Sequence, residues 1–129
     1  KAATVLSGDD ISIISYGAGV HWVTAYAAAH PEVSIELLDL RSLLPLDYDA
    51  IRACVEKTGK VLIVHEDTLF GGIGGELSAW ITEHCFKHLD APVMRCASLD
   101  TPVPFAIPLE QNFLAKSRLE ASIQKLLNY

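Results

Sequence analysis

Four glycines, Gly71, Gly72, Gly74 and Gly75, follow the apolar run Val61-Leu62-Ile63-Val64 and precede a helical pattern. Glycine admits positive φ and close backbone approach, and the free N–H groups at the start of a helix attract anions. The neighbouring Glu66, Asp67 and Glu76 oppose that use, because three carboxylates would repel a phosphate. No Gly-Lys-Ser/Thr follows, and the glycines do not fall as G-x-G-x-x-G. The stretch therefore reads as tight strand-to-helix packing or a partner surface ahead of a phosphate site.

A second glycine pair invites a dinucleotide reading. Gly17-Ala18-Gly19 follows an apolar strand pattern and opens a helix, and Asp39 comes twenty residues after Gly19. That is most of a dinucleotide fingerprint, but Trp22 stands where the third glycine belongs and its indole would block close helix–strand approach. His84 and His88, at i and i+4, could bind a metal with Cys85 or Cys96. No acid or further histidine completes a convincing ligand set, and packing is the stronger reading. His65-Glu66 lacks the second histidine of H-E-x-x-H, no G-x-S-x-G elbow occurs, and no Cys or Ser has a base at recognisable spacing.

These residues need elements to hold them. Val5-Leu6 reads as a brief edge strand, then Gly8-Asp9-Asp10 as a turn, then Ile11 to Tyr16 as a strong strand. The turn by itself suggests a hairpin of the first two strands. Val20 to Ala29 reads as a helix with Val20, Val23 and Ala27 on one face, stopped at His30-Pro31, and Val33 to Asp39 as the next strand. Asp47 can cap a helix carrying Ile51, Cys54 and Val55, with Gly59 just past its end. Val61 to Val64 reads as a strand buried on both faces and central to a parallel sheet. The helix after the four glycines places Leu77, Trp80, Ile81, His84, Cys85, His88 and Leu89 along one stripe, with both histidines on the packed side. Pro92 to Ala97 reads as a strand, Asp100 to Pro108 as a stiff proline-rich loop, and Leu119, Ile123, Leu126 and Leu127 as the stripe of a last helix.

At 129 residues the chain is one domain's worth, and no apolar run approaches the ~20 residues of a membrane helix. The net charge of −6 argues against unspecific nucleic-acid binding and favours basic protein partners. Cys54, Cys85 and Cys96 are odd in number and lack a C-x-x-C pair, which fits a reducing compartment. The start at Lys1 has no signal-like segment and reads as a fragment of something longer.

Several motifs fall in a familiar order. They are Gly8-x-Asp10-Ile-x-Ile-x-Ser-Tyr-Gly17, Asp39-Leu-Arg-Ser-Leu-x-Pro-Leu-Asp47, Val64-His-Glu66 with Gly71-Gly-x-Gly74, Asp90-Ala-Pro92 and Asp100-Thr-Pro-x-Pro104. Together they span the chain, which resembles the C-terminal domain of the β subunit of thiamine-diphosphate-dependent 2-oxo acid dehydrogenases, with a slight lean toward the branched-chain type. The resemblance implies a three-layer α/β/α domain over residues 1–129, with a five-stranded mixed sheet of order 1-3-2-4-5 and an antiparallel first strand. The hairpin reading would then fail, and Gly17, Gly19, Glu66 and Gly71 to Gly75 would flank one crevice.

The resemblance further implies that thiamine diphosphate and Mg²⁺ belong to the parent enzyme's other domains, so that this chain alone binds neither and is inactive. Its work would be assembly, with the remainder of the E1 component, with a β-type dimer partner, and with the docking domain of the acyltransferase (E2) core. By resemblance Asp90 and the carboxylate of Tyr129 would meet that docking domain, and Trp80, His84 and His88 would face a subunit contact. The setting would be a bacterial cytoplasm or a mitochondrial matrix. The competing expectation is a free-standing nucleotide-binding or regulatory module that uses the crevice.

Overall fold

The computed structural model describes residues 1–100 and 115–129. The strands are β1 (Ala3–Leu6), β2 (Ile11–Ser15), β3 (Ile35–Asp39), β4 (Val61–Thr68) and β5 (Met94–Ser98). The helices are α1 (Ala18–Ala29), α2 (Tyr48–Thr58), α3 (Ile73–Cys85) and α4 (Leu119–Leu127). The sheet order is β1-β3-β2-β4-β5. β1 runs antiparallel to β3, while β2, β3, β4 and β5 are mutually parallel. β1 is thus an edge strand, and it pairs across to β3 rather than folding back on β2 as a hairpin.

Alternation along the strands divides the core into two layers. Ile11, Ile13, Leu62 and Val64 face α1 and α4, which contribute Val20, Val23 and Tyr26, and Leu119, Ile123 and Leu126. Ile14, Leu38, Val61 and Ile63 face α2 and α3, which contribute Ile51 and Val55, and Leu77, Ile81 and Cys85. Strands covered on both faces read as unbroken apolar runs, as Val61 to Val64 does. β4 is interior but lies one place off centre; β2 holds the middle.

Local signals explain the helix ends. The Asp47 carboxylate accepts the Ala50 N–H at 3.1 Å and the Ala2 N–H at 3.1 Å, joining the start of α2 to the N-terminal strand. α2 closes at Gly59, whose φ of 72° is left-handed. On α1 the buried residues are Gly19, Val20, Val23 and Tyr26, and Ala27, half-buried, packs against the same core as Val20 and Val23.

Several boundaries differ from the sequence reading: β1 begins at Ala3, β2 ends at Ser15 and α1 begins at Ala18. β3 begins at Ile35 rather than Val33, and β5 at Met94 rather than Pro92. β4 continues past Val64 through His65, Glu66 and Asp67 to Thr68, so the acids belong to the strand and not to the glycine turn. α3 stops at Cys85, and His88 lies in the separate 3-10 turn Phe86–His88. The proline-rich stretch from Thr101 lies outside the described residues. Among the described residues no helix is long and apolar enough to cross a membrane.

The first crossover is held by close contact. Ser15 Oγ donates to the Val64 carbonyl at 2.7 Å, and a Cβ at Gly19 would overlap that hydroxyl while lying 3.3 Å from the same carbonyl oxygen. Gly19→Ala should therefore destabilise the fold by about 1–3 kcal/mol, the usual cost of overpacking. Ser15→Ala in the same chain should recover part of that loss, because it removes the overlapped atom. Urea unfolding of the two single variants and the double variant reads the coupling; purely additive losses would show that the overlap does not set the cost.

Candidate functional site

The glycine turn is built around a side chain that its motifs did not reveal. Between Val64 and Thr68 four residue steps on β4 match two on β5, from Cys96 to Ser98, so β4 bulges. A bulge re-aims side chains, and His65, in the irregular stretch, is completely buried. Nδ1 of His65 lies 3.1 Å from the Asp67 carbonyl, and Nε2 lies 3.2 Å from the Gly74 amide nitrogen at the start of α3. A carbonyl accepts and an amide N–H donates, so the ring is neutral, with its proton on Nδ1 and Nε2 bare. Burial pushes the imidazole below its ordinary range, and Arg95 adds to that, while the Asp67 carbonyl and carboxylate pull the other way.

The glycines make room for this ring. A Cβ at Gly72 would lie 2.7 Å from His65 Cε1, and one at Gly74 would lie 2.6 Å from Nε2. Gly71 has φ of +78°, where L side chains are strained, and a Cβ at Gly75 would meet Arg95 Nη1 at an ordinary 3.7 Å. The tip before the glycines is held firmly. Arg95 Nη1 donates to the Leu69 carbonyl at 3.2 Å, the Phe70 N–H to Asp100 Oδ1 at 2.7 Å, and Thr68 Oγ1 to the Phe70 carbonyl at 3.0 Å. The Phe70 side chain is nevertheless 85% exposed.

Gly17 and Gly19 sit at the end of β2, beside the end of β4. Tyr16 precedes them, and its phenol is pushed up by burial and by the Asp67 and Glu66 carboxylates. The potential at this edge is therefore negative, which disfavours a phosphate. Asp39, the ribose partner in a dinucleotide reading, instead accepts the Arg41 N–H at 3.0 Å within its own turn.

His84 and His88 do not lie on the packed side; both are exposed. The stripe drifts outward at His84, and the helix ends before His88 can continue it. His84 stacks on Trp80 at 4.6 Å, Trp80 meets Tyr48 at 4.6 Å, and Arg52 lies 5.5 Å above the indole. His84 Nδ1 donates to the Trp80 carbonyl at 2.9 Å, while His88 Nε2 lies 3.6 Å from Glu56. The two rings thus have separate partners, and Cys85 and Cys96 are buried. Among the described residues no group of three or more His, Cys, Asp or Glu side chains gathers as a metal site.

Asp90 and Tyr129, far apart in sequence, line one groove of about 480 Å³ with Phe86, Leu89, Pro92 and Val93. Phe86 is 70% exposed and Tyr129 66%. Asp90 is fixed at the groove's rim, since its N–H donates to the Gly59 carbonyl at 2.8 Å and its carboxylate lies against Gly59. The rest of the lining is Ala91 and the hydroxyl-bearing Ser78 and Thr82, so the groove is mainly apolar.

This order of strands, with the antiparallel first strand and helices on both faces, defines a domain class. The chain belongs to the transketolase C-terminal domain family, whose model matches residues 1–118. It is 41% identical to the 2-oxoisovalerate dehydrogenase subunit beta of Bacillus subtilis (strain 168), covering 100% of this chain and 41% of that protein. It is 47% identical over 86% of its length to the pyruvate dehydrogenase E1 component subunit beta of Porphyra purpurea, covering 34% of that protein. The chain therefore spans well under half the length of these relatives. Among solved structures, a split-gene transketolase described as an inactive beta4 tetramer matches with a TM-score of 0.82 at 21% identity, covering 99% of this chain and 41% of that one. That likeness fixes the fold.

The two central glycines of α3's first turn should respond oppositely to alanine. Gly74→Ala drives a Cβ into His65 and should cost about 1–3 kcal/mol. Gly75→Ala meets ordinary contacts and should gain roughly 0.5–1 kcal/mol from helix propensity. Urea midpoints at pH 7.5 distinguish the two, and a Gly74→Ala variant as stable as the parent would show that the ring does not fill that space.

Proposed function

We propose that this chain is the assembly domain of the E1 component of a 2-oxo acid dehydrogenase, of the branched-chain type, and that it performs none of the chemistry itself. The observation that carries the reading is the groove in which Asp90 and Tyr129 converge beside exposed Phe86 and Pro92 and half-buried Val93. An apolar floor with a carboxylate at its rim suits the basic docking domain of the acyltransferase (E2) core, and the chain's net charge of −6 would speed that encounter. The Tyr48–Trp80–His84 stack, with Arg52 above it, offers a second surface, rich in the aromatic and arginine side chains that interfaces favour; His88, paired with Glu56, is assigned to the same face. We assign that face to the remainder of E1 or to a second β-type subunit.

Thiamine diphosphate and Mg²⁺ act elsewhere in the parent enzyme. The residues present here do not fit the cofactor: the glycine turn is filled by His65, and the Glu66 and Asp67 carboxylates beside it would repel a diphosphate. The enzyme as a whole decarboxylates its 2-oxo acid and passes the acyl group to a lipoyl arm, in a bacterial cytoplasm or a mitochondrial matrix.

Two titrations test the reading. Calorimetry of this chain with thiamine diphosphate and Mg²⁺ should give no heat of binding, and micromolar affinity would contradict the division of labour. Asp90→Lys should weaken binding of the E2 docking domain about tenfold or more, since reversing a rim charge opposes a basic partner. Unchanged affinity would remove Asp90 from the docking surface.

A further inference from the structure

We propose that His65 is a proton-operated latch on the tip of residues 69–72: binding a proton at Nε2 releases α3's first turn from β4 while the sheet stays folded. The geometry requires a conflict on protonation. Nε2 faces the Gly74 N–H at 3.2 Å as an acceptor, and a protonated Nε2 would set one donor against another. The bond on the other side, from Nδ1 to the Asp67 carbonyl, survives in both states. Protonation therefore acts in one direction, toward α3, and it acts on an imidazole with no exposed surface.

The charged groups facing the ring come from two strands. Asp67 on β4 favours the proton, and Arg95 on β5 opposes it. α3 presents the backbone of Gly72 and Gly74 to the ring, and its first-turn acid, Glu76, is exposed. Arg95 also holds the Leu69 carbonyl, so the cation that resists protonation is the one that fastens the tip. The moving part is small. It comprises the loop from Leu69 to Gly72 and the first turn of α3, and it carries the exposed Phe70 ring.

The sign of the pH dependence follows from the direction of the shift. The native imidazole takes up a proton at lower pH than an unfolded one, whose ordinary value is about 6.5. The latch is therefore fully closed above that value, and its stabilisation is lost as pH falls through the lower native value. Because the native sheet buries its other contacts independently of this proton, the loss appears first as local opening.

Amide hydrogen exchange by NMR between pH 7.5 and pH 5.0 tests this in the whole chain, after correction for intrinsic exchange. Protection of the Gly74 amide should fall about tenfold or more, while that of Ile13 in the central strand holds. In His65→Asn, which keeps a donor toward Asp67 but cannot titrate, Gly74 should show no such pH dependence. Following the His65 ring carbons in the unaltered protein gives the same answer should that variant fold poorly, because their titration must coincide with the loss at Gly74. The proposal is overturned by flat Gly74 protection, by Gly74 and Ile13 losing protection together, by a ring titration that does not track Gly74, or by the same dependence surviving in His65→Asn.

Discussion

A buried, neutral imidazole between the end of an interior strand and the start of a helix sets the geometry of this domain's most suggestive region. An unpaired polar group inside a protein is costly, by about 1–3 kcal/mol, so a fully buried histidine must find partners for both nitrogens. His65 finds one in its own strand, at the Asp67 carbonyl, and one across the turn, at the Gly74 N–H. Meeting that requirement brings α3 so close to β4 that side chains at positions 72 and 74 would collide with the ring. The bulge, the glycines and the inward ring form one solution to one packing problem.

That solution accounts for what the turn does not do. A glycine-rich strand-to-helix turn holds an anion only if its N–H groups and its space are free. Here the Gly74 N–H is engaged and the space contains a ring, while Asp67 and Glu66 at the end of β4 add to burial in raising Tyr16. In the first crossover Gly19 is packed on Ser15 and the Val64 carbonyl in the same manner. Glycine serves close approach of backbone layers at both places. The surfaces left available are of another kind: an apolar groove with Asp90 at its rim, and an aromatic stack on α2 and α3.

The layered fold was legible where physical signals were local. Asp47 before an apolar helical pattern and Gly59 after it mark α2 because capping and left-handed closure depend on nearby residues. The unbroken apolar run of Val61 to Val64 marks a strand covered on both faces for the same reason. Strand order was not local. The Gly8-Asp9-Asp10 turn favours a hairpin on its own terms, and the pairing of β1 with β3 came instead from the motif order that the chain shares with its family. The histidine stripe misled because periodicity does not say where a helix stops: α3 ends at Cys85, and His84 already points outward, stacked on Trp80. His65 was hidden for a different reason. Its partners are backbone groups two and nine residues on, which carry no side-chain motif, and the only trace in the sequence was a pair of glycines at the right distance to clear a ring.

The claim that the glycine turn is organised by a neutral histidine, and not kept open for a ligand, is tested most directly by the tautomeric state of His65. Long-range proton–nitrogen NMR correlations at pH 7 should show a neutral ring with its proton on Nδ1 and an unprotonated Nε2 shifted by its hydrogen bond from Gly74. An imidazolium at that pH, or a proton resident on Nε2, would contradict the account.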